Sequence, residues 1–143
     1  REAAPEDFNS VFELILELRE ELGEEKPVER EKMLAIFHRL LSSDEDYVYV
    51  AESEGRLVGL MKLSVNESLY EDRPYVVINE LDVADGHRGE GIGKRLVDEA
   101  FNLAERMDCC EVAVSTDSDN PGALRFYRRY GFDHESILFE KDV

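Results

Sequence analysis

Apolar residues recur at helical spacing in two early segments of the chain. Between residues 8 and 22 the apolar positions fall three and four residues apart, and Gly23 follows where a helix can end. A second stripe of this kind runs through residues 27–41 and stops at a polar Ser-Ser-Asp segment. The pattern therefore predicts two amphipathic helices at the start of the fold.

Stretches rich in β-branched and aromatic residues alternate with turns through the rest of the chain. Helical spacing returns twice, first after a glycine-rich segment and then after an Asn-Pro pair that can cap and start a helix. Such mixing predicts one α/β (mixed α+β) domain over residues 1–143, with helices flanking a sheet. The predicted strands cover residues 1–3, 47–51, 56–68, 75–83, 111–116 and 132–141, and the two later helices begin at Ile92 and Pro121.

The chain of 143 residues carries a formal net charge of −17. A phosphate backbone would be repelled by this charge, which argues against a nucleic-acid partner. The charge fits a cationic substrate drawn in by the field, and it fits equally well an acidic surface that serves solubility or adaptation to salt.

No apolar run approaches the roughly 20 residues that cross a membrane, and the first residues lack the apolar stretch of a signal peptide. Both observations predict a cytoplasmic protein without a membrane partner. The two cysteines, Cys109 and Cys110, are adjacent and therefore poorly placed for a disulfide with each other. No Cys/His cluster indicates a metal site.

The most informative segment is a glycine-rich turn between a predicted strand and a predicted helix. Three glycines at alternate positions let the backbone approach a ligand closely, and the amide groups at a helix start bind anions. Arg88, Lys94 and Arg95 add positive charge, so a phosphate-bearing ligand is expected. A Walker loop is excluded because Arg88 occupies its first glycine position, and a dinucleotide fingerprint is excluded because Lys94 occupies its third.

Two motifs resemble those of the GNAT family of N-acetyltransferases. The run Arg-Gly-Glu-Gly-Ile-Gly at residues 88–93 is similar to the Arg/Gln-x-x-Gly-x-Gly/Ala signature of that family. The stretch at residues 120–132 resembles its Asn-x-x-Ala-x-x-Phe-Tyr-x-x-x-Gly-Phe motif. The resemblance covers essentially the whole chain. It implies a central mixed, mostly antiparallel sheet that is splayed between its fourth and fifth strands and flanked by four helices.

The resemblance also implies a co-substrate, acetyl-coenzyme A, and no metal. The glycine-rich turn would hold the diphosphate, and the fourth strand would offer main-chain hydrogen bonds to the pantetheine arm. Asn120 would contact the same arm, or cap the helix that follows it, or do both. The implied cofactor-binding residues are Leu81, Val83, Arg88, Gly89, Gly91, Gly93, Lys94 and Asn120.

Two residues are candidates for catalysis. By resemblance, Tyr127 would protonate the leaving thiolate, and a phenol is protonated at neutral pH; its alternative role is a core aromatic beside Phe126. Glu80 shares a strand face with Asp82 and would help deprotonate the amine. The alternatives are a surface or hydrogen-bonding role for Glu80, and Asn79 at the matching position. His87 is a weaker candidate.

The leading hypothesis is therefore an enzyme that transfers acetyl to an amine by direct attack in a ternary complex. The acceptor would be a small molecule or a protein amine, bounded by the first two helices and by the loop at residues 66–75. A homodimer is compatible with the family resemblance. Two alternatives remain: a non-catalytic acyl-coenzyme A module or sensor on the same fold, and an interaction protein whose acidic surface engages a basic partner.

Overall fold

The computed structural model describes all residues, Arg1–Val143, and the chain divides into two compact units, Arg1–Ala113 and Val114–Val143. None of its helices is both long enough and apolar enough to cross a membrane. The helices are α1 (Phe8–Glu21), α2 (Arg30–Leu41), α3 (Ile92–Arg106) and α4 (Pro121–Tyr130), and the strands are β1 (Asp46–Ser53), β2 (Arg56–Asn66), β3 (Tyr75–Val83) and β4 (Val112–Val114).

The four strands form one sheet in the order β1-β2-β3-β4. β1 pairs with β2, and β2 with β3, in antiparallel register. Near the start of β3, the Val76 amide donates to the Glu111 carbonyl at 3.0 Å. With three residues against nine, β4 is too short to pair along the whole of β3. The predicted mixed arrangement of helices around a mostly antiparallel sheet is confirmed.

The predicted strand at residues 1–3 is present as a single bridge between Glu2 and Tyr49. Two backbone hydrogen bonds hold it beside β1: Ala3 donates to the Val48 carbonyl, and Val50 donates to the Arg1 carbonyl, each at 2.8 Å. When this segment is counted as the first strand, β3 corresponds to the fourth strand that the family resemblance singles out.

The apolar stripes of α1 and α2 are buried less completely than the sequence pattern predicts. α1 buries Phe8, Val11, Leu14 and Leu18, whereas Leu22 just beyond its end is 76% exposed. α2 buries only Phe37 and begins at Arg30, three residues later than predicted, because Glu29 still has an extended backbone. The half-exposed members of both stripes face a cavity that is described below.

The centre of the sheet is covered by α3, which buries Leu96, Val97, Ala100, Leu103 and Ala104. α3 approaches the sheet closely at Gly59 of β2. A Cβ atom there would lie 3.1 Å from Ile92 Cγ2 and 3.2 Å from Leu96 Cδ1. Such distances are shorter than ordinary van der Waals contacts. The absence of a side chain at position 59 is therefore what lets the first turn of α3 rest on β2.

We expect Leu63→Ala to lower the free energy of unfolding by about 2–5 kcal/mol, because Leu63 is fully buried and its loss leaves a cavity. Leu69→Ala is the matched control, since Leu69 is fully exposed and its loss should change stability by no more than about 0.5 kcal/mol. Urea unfolding of the two variants measures the difference. Equal losses would show that the core has been wrongly placed.

One predicted strand is wrong: residues 132–141 form no strand. A β-strand needs a neighbour for its backbone groups, and no strand pairs with this segment. Its apolar residues Ile137, Leu138 and Phe139 are 64–89% exposed as a result. β4 is also shorter than the strand predicted at residues 111–116.

α4 in the smaller unit begins and ends as predicted. Asn120 caps its start, because its Oδ1 atom accepts a hydrogen bond of 3.1 Å from the Ala123 amide. Pro121 occupies the first helical position, and Gly131 ends the helix with a φ of 120°. This segment shows that the capping role foreseen for Asn120 is real.

Candidate active site

The glycine-rich turn forms an open helix start. Gly89 and Gly91 have φ values of +80° and +82°, a backbone region that favours glycine. Apart from the glycine itself and its chain neighbours, no protein atom lies within 4 Å of where a Cβ would stand on either residue. The first hydrogen bond of α3 runs from the Arg95 amide to the Gly91 carbonyl at 3.1 Å, so the preceding amides have no acceptor within the helix. The turn therefore offers backbone donors in open space, as an anion site requires.

Arg88 ties this turn to two other elements. Its guanidinium contacts Glu21 Oε2 of α1 at 2.7 Å and Asp85 Oδ1 at 3.2 Å, and its Nε donates to the Val83 carbonyl at 2.9 Å. Lys94 likewise pairs with Asp98 at 2.9 Å. Since carboxylates of the chain already compensate both cations, the attraction of the turn for an anion rests mainly on its backbone amides.

The end of β3 presents backbone groups on the side away from β2. The Ala84 amide donates to the Val58 carbonyl of β2 at 2.9 Å, and Asp82 lies opposite Leu60. Because successive residues of a strand direct their backbone groups to opposite sides, those of Leu81 and Val83 face away from β2. The contact between Arg88 and the Val83 carbonyl agrees with this direction.

Glu80 and Asp82 lie on one face of β3, as the alternation of the strand predicts. Burial raises the pKa of the Glu80 carboxyl above its usual value; nearby Asp82 raises it further, and Lys62 lowers it. Burial also raises the pKa of Asp82, against a lowering by Arg88. Neither carboxylate takes part in a salt bridge or hydrogen bond. Two neighbouring carboxylates without partners are suited to receive a cation or a proton.

Lys62, opposite Glu80 in the sheet, is engaged elsewhere. Its Nζ lies 2.6 Å from Asp46 Oδ1 and donates to Asn79 Oδ1 at 3.0 Å. Asn79, the alternative to Glu80, is thus a hydrogen-bond acceptor for a lysine, and its amide has no basic nitrogen. His87 contacts Glu90 at 3.2 Å on the surface of the turn.

A cavity of about 560 Å³ lies between α1, α2 and the sheet face that carries Glu80 and Asp82. The first two helices bound it, as expected, whereas the loop at residues 66–75 contributes nothing to it. The sequence pattern did not reveal the cavity, because apolar helical spacing is the same whether the stripe fills a core or lines a space. Lys62 was not predicted as part of the site either, although the alternation of β2 places it on the same face.

Tyr127 lies half-buried in α4, in the smaller unit. Its ring contacts Phe126 and Phe132 edge to face, with ring centroids 5.2 Å and 5.6 Å apart. Aromatic pairs prefer this arrangement, so the ring has a packing role whatever its hydroxyl does. Elsewhere, Cys109 and Cys110 are free thiols, and no three His, Cys, Asp or Glu side chains are grouped as metal ligands would be.

Known proteins of similar sequence indicate the family of this chain. The model of the acetyltransferase (GNAT) family matches residues 8–132. An uncharacterized N-acetyltransferase of Methanocaldococcus jannaschii is 33% identical over 103 residues, which are 71% of this chain and 46% of that protein. An uncharacterized N-acetyltransferase of Archaeoglobus fulgidus is 30% identical over 128 residues, which are 89% of this chain and 87% of that protein.

Solved structures share the fold. An aminoglycoside acetyltransferase from a soil metagenome, in complex with sisomicin, has a TM-score of 0.82 at 24% identity and covers 100% of this chain and 93% of its own. AAC(6')-Iy, in complex with the bisubstrate analog CoA-S-monomethyl-acetylneamine, has a TM-score of 0.82 at 20% identity, and the match covers 100% of this chain and 96% of that one.

The extent of the match differs between relatives. This chain spans 46% of the Methanocaldococcus protein and 43% of a rat relative, N-acetyltransferase family 8 member 3, but 87% of the Archaeoglobus protein. The family match covers the helices that bound the cavity, the glycine-rich turn and α4 alike. The chain belongs to the GNAT family of acetyltransferases.

Proposed function

We propose that this chain is an N-acetyltransferase domain that moves an acetyl group from acetyl-coenzyme A to an amine. One observation carries the proposal: β3 can contact two ligands at once, through its backbone groups at one edge and through its side chains on one face. Its backbone at Leu81 and Val83 is directed away from β2, and the side chains of Glu80 and Asp82 line the cavity. Adjacent residues of a strand are only about 3.3 Å apart, so a thioester held by the backbone of Leu81 and an amine beside the Glu80 side chain would meet at this strand.

The residues present fit coenzyme A. The backbone amides near Gly89, Gly91, Gly93 and Lys94 would hold the diphosphate, since the left-handed glycines leave that space open. Leu81 and Val83 would bind the pantetheine arm through main-chain hydrogen bonds, and Asn120 would contact the same arm. AAC(6')-Iy, which shares this fold, binds a bisubstrate analog that contains coenzyme A, and this supports a coenzyme A site in this chain.

Arg88 has a further part in this arrangement. Its Nε donates a hydrogen bond to the Val83 carbonyl, which is the acceptor that the pantetheine arm would use. On cofactor binding, the guanidinium would turn from that carbonyl toward the diphosphate, with which it forms stronger, charge-assisted hydrogen bonds.

The acceptor amine must lose a proton before it can attack. At pH 7 an amine with a pKa near 10.4 pays roughly 4–5 kcal/mol to become neutral. Glu80 would take this proton directly or through a water molecule, and its raised pKa makes it a stronger base than an ordinary carboxylate. The amine nitrogen then bonds to the acyl carbon, the carbon–sulfur bond breaks, and Tyr127 donates a proton to the departing sulfur.

The test of this function is release of free thiol from acetyl-coenzyme A when the protein is mixed with a set of primary amines. We expect thiol release with at least one amine, and acetylated amine in equal amount by mass spectrometry. Binding of acetyl-coenzyme A without transfer to any amine would instead indicate a non-catalytic acyl-coenzyme A module.

A pair of glycine variants tests the cofactor site. Gly91→Ala and Gly55→Ala both place a methyl group on a left-handed residue with open space around it, at φ +82° and +76°. Each should therefore lose a similar stability, about 1–2 kcal/mol. Only Gly91→Ala should weaken coenzyme A binding, by about 10–100-fold, because its methyl group enters the space kept for the diphosphate. Calorimetric titration measures the affinities, and equal affinities would remove the diphosphate from this turn.

A further inference from the structure

The cavity beside β3 has aliphatic and aromatic walls. α1 contributes Ile15 and Leu18, and α2 contributes Met33, Ile36 and Phe37. Leu60 of β2 adds an apolar patch to the floor. None of these side chains can donate or accept a hydrogen bond, apart from the weak acceptor sulfur of methionine. A ligand portion that rests on these walls must therefore be apolar, because a polar group there would lose its hydration without gaining a partner.

The cations and one carboxylate at the edge of the cavity already have partners within the protein. Lys32 pairs with Glu29 at 2.7 Å, and Lys62 pairs with Asp46 at 2.6 Å. Arg19 donates to the Lys26 carbonyl at 2.6 Å. These groups gain little from a ligand, since binding it would first break an existing interaction.

Glu80 and Asp82 are the exception among the charged groups of the cavity. They lie side by side on the floor, and neither has a salt bridge or a hydrogen bond. Two adjacent carboxylates without partners favour one cationic group between them. The cavity thus combines one unpaired place for positive charge on its floor with largely apolar walls.

We infer that the acceptor is a small primary amine with a single positive charge and an apolar alkyl or arylalkyl body. This inference rests on the proposed function, because it names the substrate class for that same cavity. The cavity volume of about 560 Å³ lies within the range of about 300–1,000 Å³ usual for small-molecule sites. Polyamines and aminoglycosides, which carry several ammonium or hydroxyl groups, are poor acceptors for these walls.

The decisive comparison uses hexylamine and 1,5-diaminopentane, two chains of equal length that differ by a methyl against an ammonium group at the far end. We expect kcat/KM for hexylamine to exceed that for the diamine by about 10–200-fold, the range that a hydrophobic pocket achieves. Calorimetric titration of both amines without cofactor gives a second readout and should show the same preference.

Two variants that each introduce a glutamate test whether the cavity wall causes the preference for hexylamine. Ile36→Glu places a carboxylate on the cavity wall, whereas Leu16→Glu places one on α1 outside the cavity. The two side chains are 46% and 42% exposed, so both variants should fold. We expect Ile36→Glu to reduce the preference for hexylamine at least about tenfold, because the second ammonium gains a partner. Leu16→Glu should leave the preference unchanged.

The outcomes separate this inference from the proposed function. Transfer to amines with equal or better use of the diamine would overturn the inference and leave the acetyltransferase intact. Transfer to no amine, with selective hexylamine binding by calorimetry, would overturn the function and support the cavity assignment. If hexylamine neither binds nor is acetylated, the inference fails.

Discussion

Tyr127→Phe is expected to lower kcat/KM for acetyl transfer by about 10²–10⁴-fold, the usual contribution of a general acid. The departing thiolate belongs to a thiol with a pKa of roughly 8.5, and a phenol with a pKa near 10 is still protonated at neutral pH and able to donate. Phenylalanine keeps the edge-to-face contacts with Phe126 and Phe132 but removes the proton donor. Steady-state thiol release at saturating acetyl-coenzyme A measures the loss.

Two controls separate chemistry from packing in this experiment. Thermal unfolding should be nearly unchanged, because the ring and its neighbours remain, and coenzyme A affinity should stay within about threefold. Phe126→Leu perturbs the same aromatic cluster without touching the hydroxyl, and it should cost stability more than catalysis. If Tyr127→Phe keeps full activity, then Tyr127 is a core aromatic and the proton comes from elsewhere.

Glu80→Gln is expected to cause a loss of similar size, about 10²–10⁴-fold in kcat/KM at pH 7, because the amide cannot accept the proton of the amine. The pH profile gives a sharper test. A base works only when deprotonated, so wild-type activity should fall as the pH drops through the pKa of Glu80, which burial raises above its usual value. The variant should lack this acidic limb and should gain activity at high pH, where the amine is neutral by itself.

Asp82, which lies beside Glu80, determines the direction in which a second variant should shift the pH profile. The charge of Asp82 raises the pKa of Glu80, so Asp82→Asn should lower that pKa and move the acidic limb of the profile to lower pH. Asn79→Ala is the matched control on the same strand, and it should leave the limb in place. A limb that moves to higher pH in Asp82→Asn would mean that another group supplies the base.

Local sequence rules predicted much of the fold and part of the candidate site. The bounds of β3 and α4 are those expected, because β-branched residues define the first and an Asn-Pro start with a glycine end defines the second. The glycine-rich turn between β3 and α3 also lies where the sequence predicts it, although the left-handed conformations of Gly89 and Gly91 are a finding of the structure. The roles of Tyr127, Glu80 and the cofactor-binding residues remain predictions.

Local sequence rules could not predict features that depend on residues far away in the chain. The extended character of residues 132–141 did not make a strand, since strand formation also requires an unpaired neighbour. Leu22 and Ile36 fit their helical stripes, yet they border a cavity instead of a filled core. Nor does any local pattern reveal that Arg88 reaches Glu21, 67 residues away.

The contact at Gly59 links folding to cofactor binding through a residue that touches no substrate. Ile92 and Leu96 lie just above it, in the first two turns of the helix that we propose faces the diphosphate. A methyl group at position 59 would act as a wedge and lift that turn by a few tenths of an ångström, since packed interiors transmit strain rather than absorb it. Substitution of Gly59 by a larger residue would therefore first lower the affinity for coenzyme A, while the sheet beneath remained folded.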